Sequence, residues 1–233
     1  MNNNDLLGVL RRSFITYLKT NPRSNEKLKV LHGAISTDLQ NRIGYDFKVC
    51  SLGFGDGHEK AAPGRYMDKM IDIAVLRKGK VVAGLAVKFV MSNYSQNSNN
   101  YFENMLGETA NLRSNKIPYF QIFLIPDCIP YYNTDKIITK WENISEHNLE
   151  KYARLSEDNA DMFMHTPNKT FVGIIHLPDC DHNIRNHQQY KFFYINNRER
   201  ITWSNQECHF GANVIFNDYE TFIEKVTHFI KSL

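Results

Sequence analysis

The sequence has few cysteines, no long hydrophobic run and no strong excess of charge of either sign. Only four cysteines occur among 233 residues, and none forms the CxxC pair of common structural zinc sites. We therefore expect a reduced, cytoplasmic protein. No stretch approaches the roughly 18 apolar residues of a membrane helix. The first residues lack the basic segment and apolar run of a signal peptide, so no membrane partner is predicted.

The charge balance allows a nucleic acid as partner without requiring one. The formal net charge is +3 at pH 7 and the isoelectric point is about 8.6, which is mildly basic. The hydrophobic fraction of 42% is sufficient for a packed core, and the length predicts a single domain over residues 1–233. The segment from Cys180 to His182 lacks the paired spacing of zinc ligands and is interpreted as a polar loop.

Hydrophobic periodicity predicts an α/β fold in which a mixed central β-sheet is flanked by helices. Two strand-like runs over residues 65–76 and 81–91 are separated by Gly79, which predicts a β-hairpin. A polar, Asn-rich loop is expected over residues 92–100. The other predicted helices span residues 5–19, 24–43, 101–113, 134–142, 146–156 and 217–233, and the other predicted strands span residues 45–51, 119–125, 171–177 and 190–195.

Two charged residues interrupt the apolar strands of this hairpin. Asp72 lies in the run MIDIAVL and Lys88 lies in the run GLAVKFV, where a charge is costly to bury unless it is paired or used. A three-residue turn over residues 77–79 would pair Asp72 with Gly84 and place Asp72, Ala86 and Lys88 on one face. A two-residue turn would separate the three, so the prediction depends on the register.

The two charges have two interpretations. The first is a buried ion pair, or strand ends near solvent. The second is a phosphodiesterase site in which Asp72 binds a divalent cation, the backbone carbonyl of Val87 is a second ligand, and Lys88 orients or activates water. Hard cations such as Mg²⁺ prefer oxygen ligands, and a phosphate group would supply more of them.

This pattern resembles the PD-(D/E)XK nuclease superfamily, and most closely its type II restriction endonucleases. The resemblance rests on Asp72, on Ala86-Val87-Lys88 and on the preceding run GRYMDKMIDIAV, and it covers about residues 26–126. It implies a restriction-endonuclease-like core, completed by residues 127–233, and a Mg²⁺-dependent enzyme that cleaves double-stranded DNA at a short specific site. It also implies a homodimer, since palindromic sites mirror two-fold symmetry. A structure-selective repair nuclease on the same core is the alternative activity.

The sequence departs from the family pattern at Ala86, where family members carry Glu or Asp. Three explanations remain open: the acid was replaced and the enzyme silenced, another acid supplies the carboxylate, or the protein binds DNA without cutting it. Some family members place the missing carboxylate on the helix after the lysine strand, which here carries Glu103 and Glu108. Glu103 is the preferred substitute and Glu108 the alternate, and Glu59 and Asp38 are further alternatives.

The polar run SNYSQNSNN directly follows the lysine strand over residues 92–100. Asn and Gln side chains pair bidentately with adenine in the major groove or donate to phosphates, and a tyrosine can stack or form a hydrogen bond. A polar loop of good turn formers would explain the same composition without a functional role. The residues predicted to contact DNA are Asn93, Tyr94, Gln96, Asn97, Asn99 and Asn100.

Overall fold

Helices and strands occur in a mixed order along the chain. The computed structural model describes residues 1–20, 24–178 and 183–233. The α-helices in these ranges are α1 (Asn3–Lys19), α2 (Glu26–Ile43), α3 (Tyr94–Arg113), α4 (Glu146–Ser156), α5 (His187–Asn196) and α6 (Tyr219–Lys231). The β-strands are β1 (Lys48–Ser51), β2 (Lys60–Ala62), β3 (Lys69–Ile71), β4 (Ile73–Arg77), β5 (Lys80–Phe89), β6 (Tyr119–Pro126), β7 (Cys128–Tyr132), β8 (Ile138–Asn143), β9 (Lys169–His176), β10 (Thr202–Trp203) and β11 (Val214–Phe216).

Seven strands form one mixed sheet in the order β1-β4-β5-β6-β9-β10, with β11 also paired to β9. Strand β4 is antiparallel to both of its neighbours, β1 and β5, whereas β5, β6 and β9 are parallel. Every residue of β6 is buried, as expected for a central strand covered on both faces. Two ribbons, β2-β3 and β7-β8, form separate two-stranded sheets. The predicted α/β class with a mixed central sheet is therefore confirmed.

Helices cover both faces of the central sheet. Apolar side chains of α1, α2, α5 and α6 form a core with one face, and those of α3 and α4 pack on the other. Helix α6 illustrates the cause, since its fully buried residues recur at helical spacing along one side. In the parts of the chain described, no helix combines the length and apolarity needed to cross a membrane.

The β4-β5 hairpin differs in register from the prediction. Its turn contains two residues, Lys78 and Gly79, which have positive φ angles of 49° and 78°. An irregularity in the ladder then shifts the pairing, so that Ala74 lies opposite Gly84. The predicted pairing of Asp72 with Gly84 was therefore wrong by two residues. A shift of two residues preserves the face of each side chain, so Asp72 stays on the expected side.

Three other predicted segments were wrong. The loop expected over residues 92–100 is mostly helical, because α3 begins at Tyr94. The helix expected over residues 134–142 is replaced by β8, which pairs with β7. The edge strand expected over residues 190–195 lies within α5, where Tyr190 and Tyr194 are both buried against Phe14. Tertiary packing of these aromatic rings outweighs their preference for strands. The predicted polar loop at residues 180–182 lies outside the described residues.

Helix α2 packs very closely on the turn that follows β1. A Cβ atom on Gly33 would lie 2.8 Å from the carbonyl oxygen of Gly53, and a Cβ atom on Gly53 would collide with the carbonyl of Lys29. Beside this contact, the hydroxyl groups of Ser36 and Ser51 form a buried hydrogen bond of 2.7 Å. The glycine contact therefore fixes the middle of α2 against the segment that leads from β1 to β2.

We expect Gly53→Ala to destabilise the protein far more than Gly57→Ala. Both glycines have positive φ angles, 79° and 77°, so both substitutions carry a similar backbone cost of about 1 kcal/mol. Only the Gly53 variant also pushes α2 away, and we expect it to lose about 2 kcal/mol more. Urea denaturation would measure both free energies of unfolding, and equal losses would contradict the role assigned to the contact.

Candidate active site

A cleft of about 420 Å³ opens where β5 passes between α2 and α3. Residues 86–89 of β5 form one wall, α2 and α3 supply polar side chains, and β6 contributes to the floor. A larger depression of about 660 Å³ lies near the β4-β5 turn, but the described residues that line it include no Asp, Glu or His side chain. The smaller cleft brings together Asp72 and Lys88, the two charged strand residues singled out in the sequence, and is therefore the candidate site.

Asp72 occupies the bend where β3 leaves its ribbon and β4 enters the central sheet. The β4-β5 ladder ends with the pair Ile73 and Leu85, so strand pairing does not extend to Val87. Oδ2 of Asp72 instead accepts a hydrogen bond of 2.7 Å from the backbone N–H of Val87. This bond holds the carboxylate beside Ala86 and Lys88 at the cleft wall and leaves further lone pairs for a cation.

Asp72 lies next to two other potential metal ligands. One ligand atom each of His32, Glu59 and Asp72 lie within 4.8 Å of one another. His32 comes from α2, and Glu59 comes from the segment just before β2. Ligand atoms about 2.1 Å from one cation are about 3 to 4 Å apart, so small side-chain movements would complete a shared site. Glu59 was one of the alternatives predicted for the missing carboxylate, whereas His32 was not predicted.

The imidazole of His32 is buried without a partner. The side chain is 1% exposed, and among the described residues neither ring nitrogen finds a hydrogen-bond partner. Buried polar atoms are almost always bonded, so an unpaired imidazole facing two carboxylates points to a ligand. Burial lowers the pKa of His32, and the charge of Asp72 partly opposes this shift. The neutral imidazole that results is the form that coordinates a metal ion.

Glu59 and Asp72 repel each other in this arrangement. Burial raises the pKa of Glu59, the charge of Asp72 raises it further, and Lys69 opposes both effects. Two close carboxylates with no cation between them are electrostatically unfavourable, and a divalent ion would relieve the repulsion. The donor set of two carboxylates and one imidazole therefore fits a divalent cation.

Lys88 and α3 complete the charged lining of the cleft. The Nζ atom of Lys88 lies 4.2 Å from the ring centroid of Tyr101, within reach of a cation–π interaction. Desolvation lowers the pKa of Lys88, while the charges of Asp72 and Glu108 raise it. Glu108 itself forms an ion pair with Lys69. Lys88 lines the cleft while remaining exposed, and its charge interacts with those of Asp72 and Glu108.

The acids proposed to replace the missing carboxylate fall at different places. Glu108 lines the cleft, but Glu103 is exposed. The charge of Glu103 raises the pKa of Lys151. Helical geometry explains the difference, because five residues correspond to a rotation of about 140°. Asp38 binds the N-terminal amine and Arg42 away from the cleft. Glu59 therefore lies closest to Asp72 among these acids, and the preference for Glu103 is not supported by its position.

Two of the residues predicted to contact DNA are engaged within the fold. The side chain of Asn93 pairs with the backbone of Tyr132, with bonds of 3.1 and 3.0 Å. Tyr94 is buried, and its N–H donates to Glu142 at 2.7 Å. This position does not favour the predicted DNA contact of Tyr94, which stays a prediction. The other four lie on the first turns of α3 and remain partly or fully exposed: Gln96, Asn97, Asn99 and Asn100.

Comparison of the chain with protein-family models, curated proteins and solved structures found no significant match.

The sequence contains a signal for His32, the potential metal ligand that was not predicted. His32 follows Leu28 by four residues and precedes Ile35 by three, so it lies on the apolar face of α2. A polar side chain on a buried helical face needs a partner, and here that partner can come only from other elements of the fold.

We expect the acid sensitivity of the metal-free protein to depend on His32. The folded-state pKa lies below the ordinary value of about 6.5, so the unfolded chain binds this proton first as pH falls. The contribution of His32 to stability is therefore present above pH 6.5 or so and is lost as pH drops toward the folded-state pKa. His32→Gln should lose less stability than the wild type over this interval.

Urea denaturation in EDTA at a series of pH values would measure this difference. His58→Gln, which removes an exposed histidine nearby, is the matched control and should follow the wild type. Parallel pH profiles for the wild type and His32→Gln would contradict the assignment.

Proposed function

We propose that the protein is a divalent-metal-dependent endodeoxyribonuclease that cleaves double-stranded DNA at a short specific site, in the manner of type II restriction enzymes. The observation that carries the proposal is the cluster of His32, Glu59 and Asp72, because His32 and Asp72 line one cleft together with Lys88. Ionisable groups whose pKa values are shifted by burial and by one another, gathered at a cleft, are typical of catalytic sites. The resemblance of Asp72 and Lys88 to the PD-(D/E)XK pattern adds the reaction class.

In this proposal His32, Glu59 and Asp72 hold the cation, and the backbone carbonyl of Val87 is a candidate fourth ligand. A bound divalent cation neutralises phosphate charge and lowers the pKa of coordinated water. Asp72 is oriented by the N–H of Val87, which keeps its carboxylate at the wall of the cleft. Lys88 places a positive charge where the scissile phosphate would enter, and its lowered pKa favours proton exchange with water.

Glu59 provides the second carboxylate that Ala86 cannot. Ala86 lies in the cleft wall and offers only a methyl group there, while Glu59 reaches the same site from the segment before β2. Glu108 is the alternate, although its ion pair with Lys69 already engages it. A homodimer and a cytoplasmic location belong to the same proposal, because a palindromic site requires two-fold symmetry and the substrate is intracellular DNA.

A second candidate function is a nuclease fold that binds DNA without cutting it. The alanine at position 86 favours this reading, since the usual acid is missing from the strand that carries Lys88. Substitution of Asp72 distinguishes the two candidates. A nuclease would lose DNA cleavage, whereas a protein that only binds DNA shows no cleavage before or after the substitution.

We expect discrete, metal-dependent fragments from unmethylated phage DNA in the presence of Mg²⁺ or Mn²⁺ and none in EDTA. Asp72→Asn and Glu59→Gln should each reduce cleavage by about 100-fold or more, since each removes a charged ligand. Glu224→Gln, on the exposed side of α6, is the control for loss of a carboxylate. Agarose gel electrophoresis and initial rates would record the result.

The variants of the other acids decide between the placements. Loss of cleavage in Glu103→Gln or Glu108→Gln, with Glu59→Gln unchanged, would move the second carboxylate to α3. Cleavage only after Ala86→Glu would mean that the alanine silences an ordinary site. No cleavage by either the wild type or Ala86→Glu would overturn the restriction-enzyme proposal, and cleavage of branched DNA alone would favour a repair nuclease.

We expect the site to bind Mn²⁺ more tightly than Mg²⁺, because an imidazole nitrogen is a better ligand for Mn²⁺ than for the harder Mg²⁺. His32→Asn should weaken Mn²⁺ binding by about 10-fold or more and reduce the difference in affinity between Mn²⁺ and Mg²⁺. Isothermal titration calorimetry on protein free of DNA would measure both affinities. Unchanged Mn²⁺ affinity in His32→Asn would remove His32 from the ligand set.

A further inference from the structure

The tip of the β2-β3 ribbon presents large apolar side chains to solvent beside the cleft. Tyr66 is 81% exposed, Met67 is 69% exposed and Met70 is 51% exposed. Scattered apolar residues are ordinary on protein surfaces, but three large ones within five positions form a patch that calls for an explanation. Arg65, Asp68 and Lys69 lie among them, so the patch combines apolar and charged side chains.

The backbone of this tip is held rigidly by Asn111 of α3. The Oδ1 atom of Asn111 accepts from the N–H of Tyr66 at 2.9 Å, and its Nδ2 donates to the carbonyl of Met67 at 2.8 Å. The N–H of Arg65 donates to the backbone carbonyl of Asn111 at 2.8 Å. Gly64 is needed here, since a Cβ atom at this position would collide with the Asn111 side chain. The exposed side chains therefore project from a fixed support, which reduces the entropy lost when they bind.

The tip is tied directly to the candidate active site. Lys69 and Met70 of the same ribbon line the cleft, and the chain reaches Asp72 two residues after Met70. Asn111 follows Glu108 by three residues, which is about 4.5 Å along α3. A molecule bound across the cleft would consequently meet the tip.

We propose that the ribbon tip is a DNA-contacting element, in which Tyr66 and Met67 pack against bases of the bound duplex and Arg65 contacts a phosphate. The inference rests on the proposed nuclease function and adds a positioning element to it. Aromatic side chains stack on bases, and apolar side chains such as methionine insert at base steps. The adjoining cleft adds the positive charge of Lys88, which matches a polyanion, whereas the charge of Lys69 is paired with Glu108.

A protein partner fits the patch less well. Stable protein interfaces bury about 800 Å² on each side, whereas the apolar part of this patch consists of three side chains. Its charged residues, Arg65, Asp68 and Lys69, are interleaved with the apolar ones along the ribbon. Binding of a second copy of the chain to this surface would contradict the proposal.

The test measures binding of a fluorescein-labelled duplex of mixed sequence by anisotropy in EDTA, where cleavage is not expected, over a series of salt concentrations. Tyr66→Ala should weaken binding by about 10-fold or more with an unchanged salt dependence, because stacking releases no counterions. Tyr66→Phe should retain the affinity, since the ring remains. Arg65→Ala should reduce the logarithmic salt slope by about 1. Tyr45→Ala is the matched control, since Tyr45 is fully exposed in the α2-β1 connection and does not line the cleft.

The outcomes separate this inference from the proposed function when metal-dependent cleavage is measured on the same preparations. Cleavage by the wild type together with unchanged binding by Tyr66→Ala would overturn the inference alone. Tyr66-dependent binding without any cleavage would overturn the proposed nuclease activity and support the proposed DNA contact of the tip. If the wild type binds no DNA, the inference fails. A wild-type dimer that Tyr66→Ala converts to a monomer, with unchanged DNA affinity in sedimentation and anisotropy measurements, would assign the tip to contact between copies.

Discussion

The hydrogen bond between the N–H of Val87 and the carboxylate of Asp72 sets the geometry on which the candidate site depends. It marks the point where one continuous segment stops pairing with β5 and begins to pair with β2. The carboxylate of Asp72 accepts the hydrogen bond that a backbone carbonyl would accept in a continued ladder. The chain can therefore pass from one sheet to the other while the N–H of Val87 keeps a partner. Hydrogen bonds to charged groups contribute about 1.5 to 3 kcal/mol, enough to hold such a branch point. The β2-β3 ribbon, which Glu59 precedes, leaves the central sheet at this bond.

The buried and partly buried acids of this chain differ in how completely their hydrogen-bonding groups are satisfied. Asp38 binds the N-terminal amine, Arg42 and the hydroxyl of Tyr219, and so fastens α1, α2 and α6 together. Glu142 accepts from two backbone N–H groups at the start of α3. The pair of Glu59 and Asp72, by contrast, faces an imidazole with no hydrogen-bond partner among the described residues. Satisfied acids stabilise a fold, whereas an incompletely satisfied cluster in a cleft indicates a place for a ligand.

Helix α3 shows how a distant contact changes the structure of a local segment. Its first residues are rich in Asn and Ser, which favour turns and loops. Glu142 lies 48 positions further along the chain and accepts hydrogen bonds from the N–H groups of Tyr94 and Ser95, so the helix begins there. The helix therefore starts about two turns earlier than the predicted residue 101. This earlier start places the exposed Asn and Gln side chains on a helix beside the cleft, with Asn97 bonded to Tyr101.

The sequence alone determined the α/β class and the central apolar strands, because these follow from periodicities of two and 3.6 residues that short segments carry by themselves. The common face of Asp72 and Lys88 depended on the register of the hairpin, which the irregularity in the β4-β5 ladder decided. Only the tertiary structure decided that His32 and Glu59 join Asp72, that residues 138–143 form a strand and that residues 187–196 form a helix. The cluster requires α2 to approach the segment after β1 through Gly33 and Gly53. Such an approach depends on the shapes of two segments packed together, and neither segment shows it in its own pattern of residues.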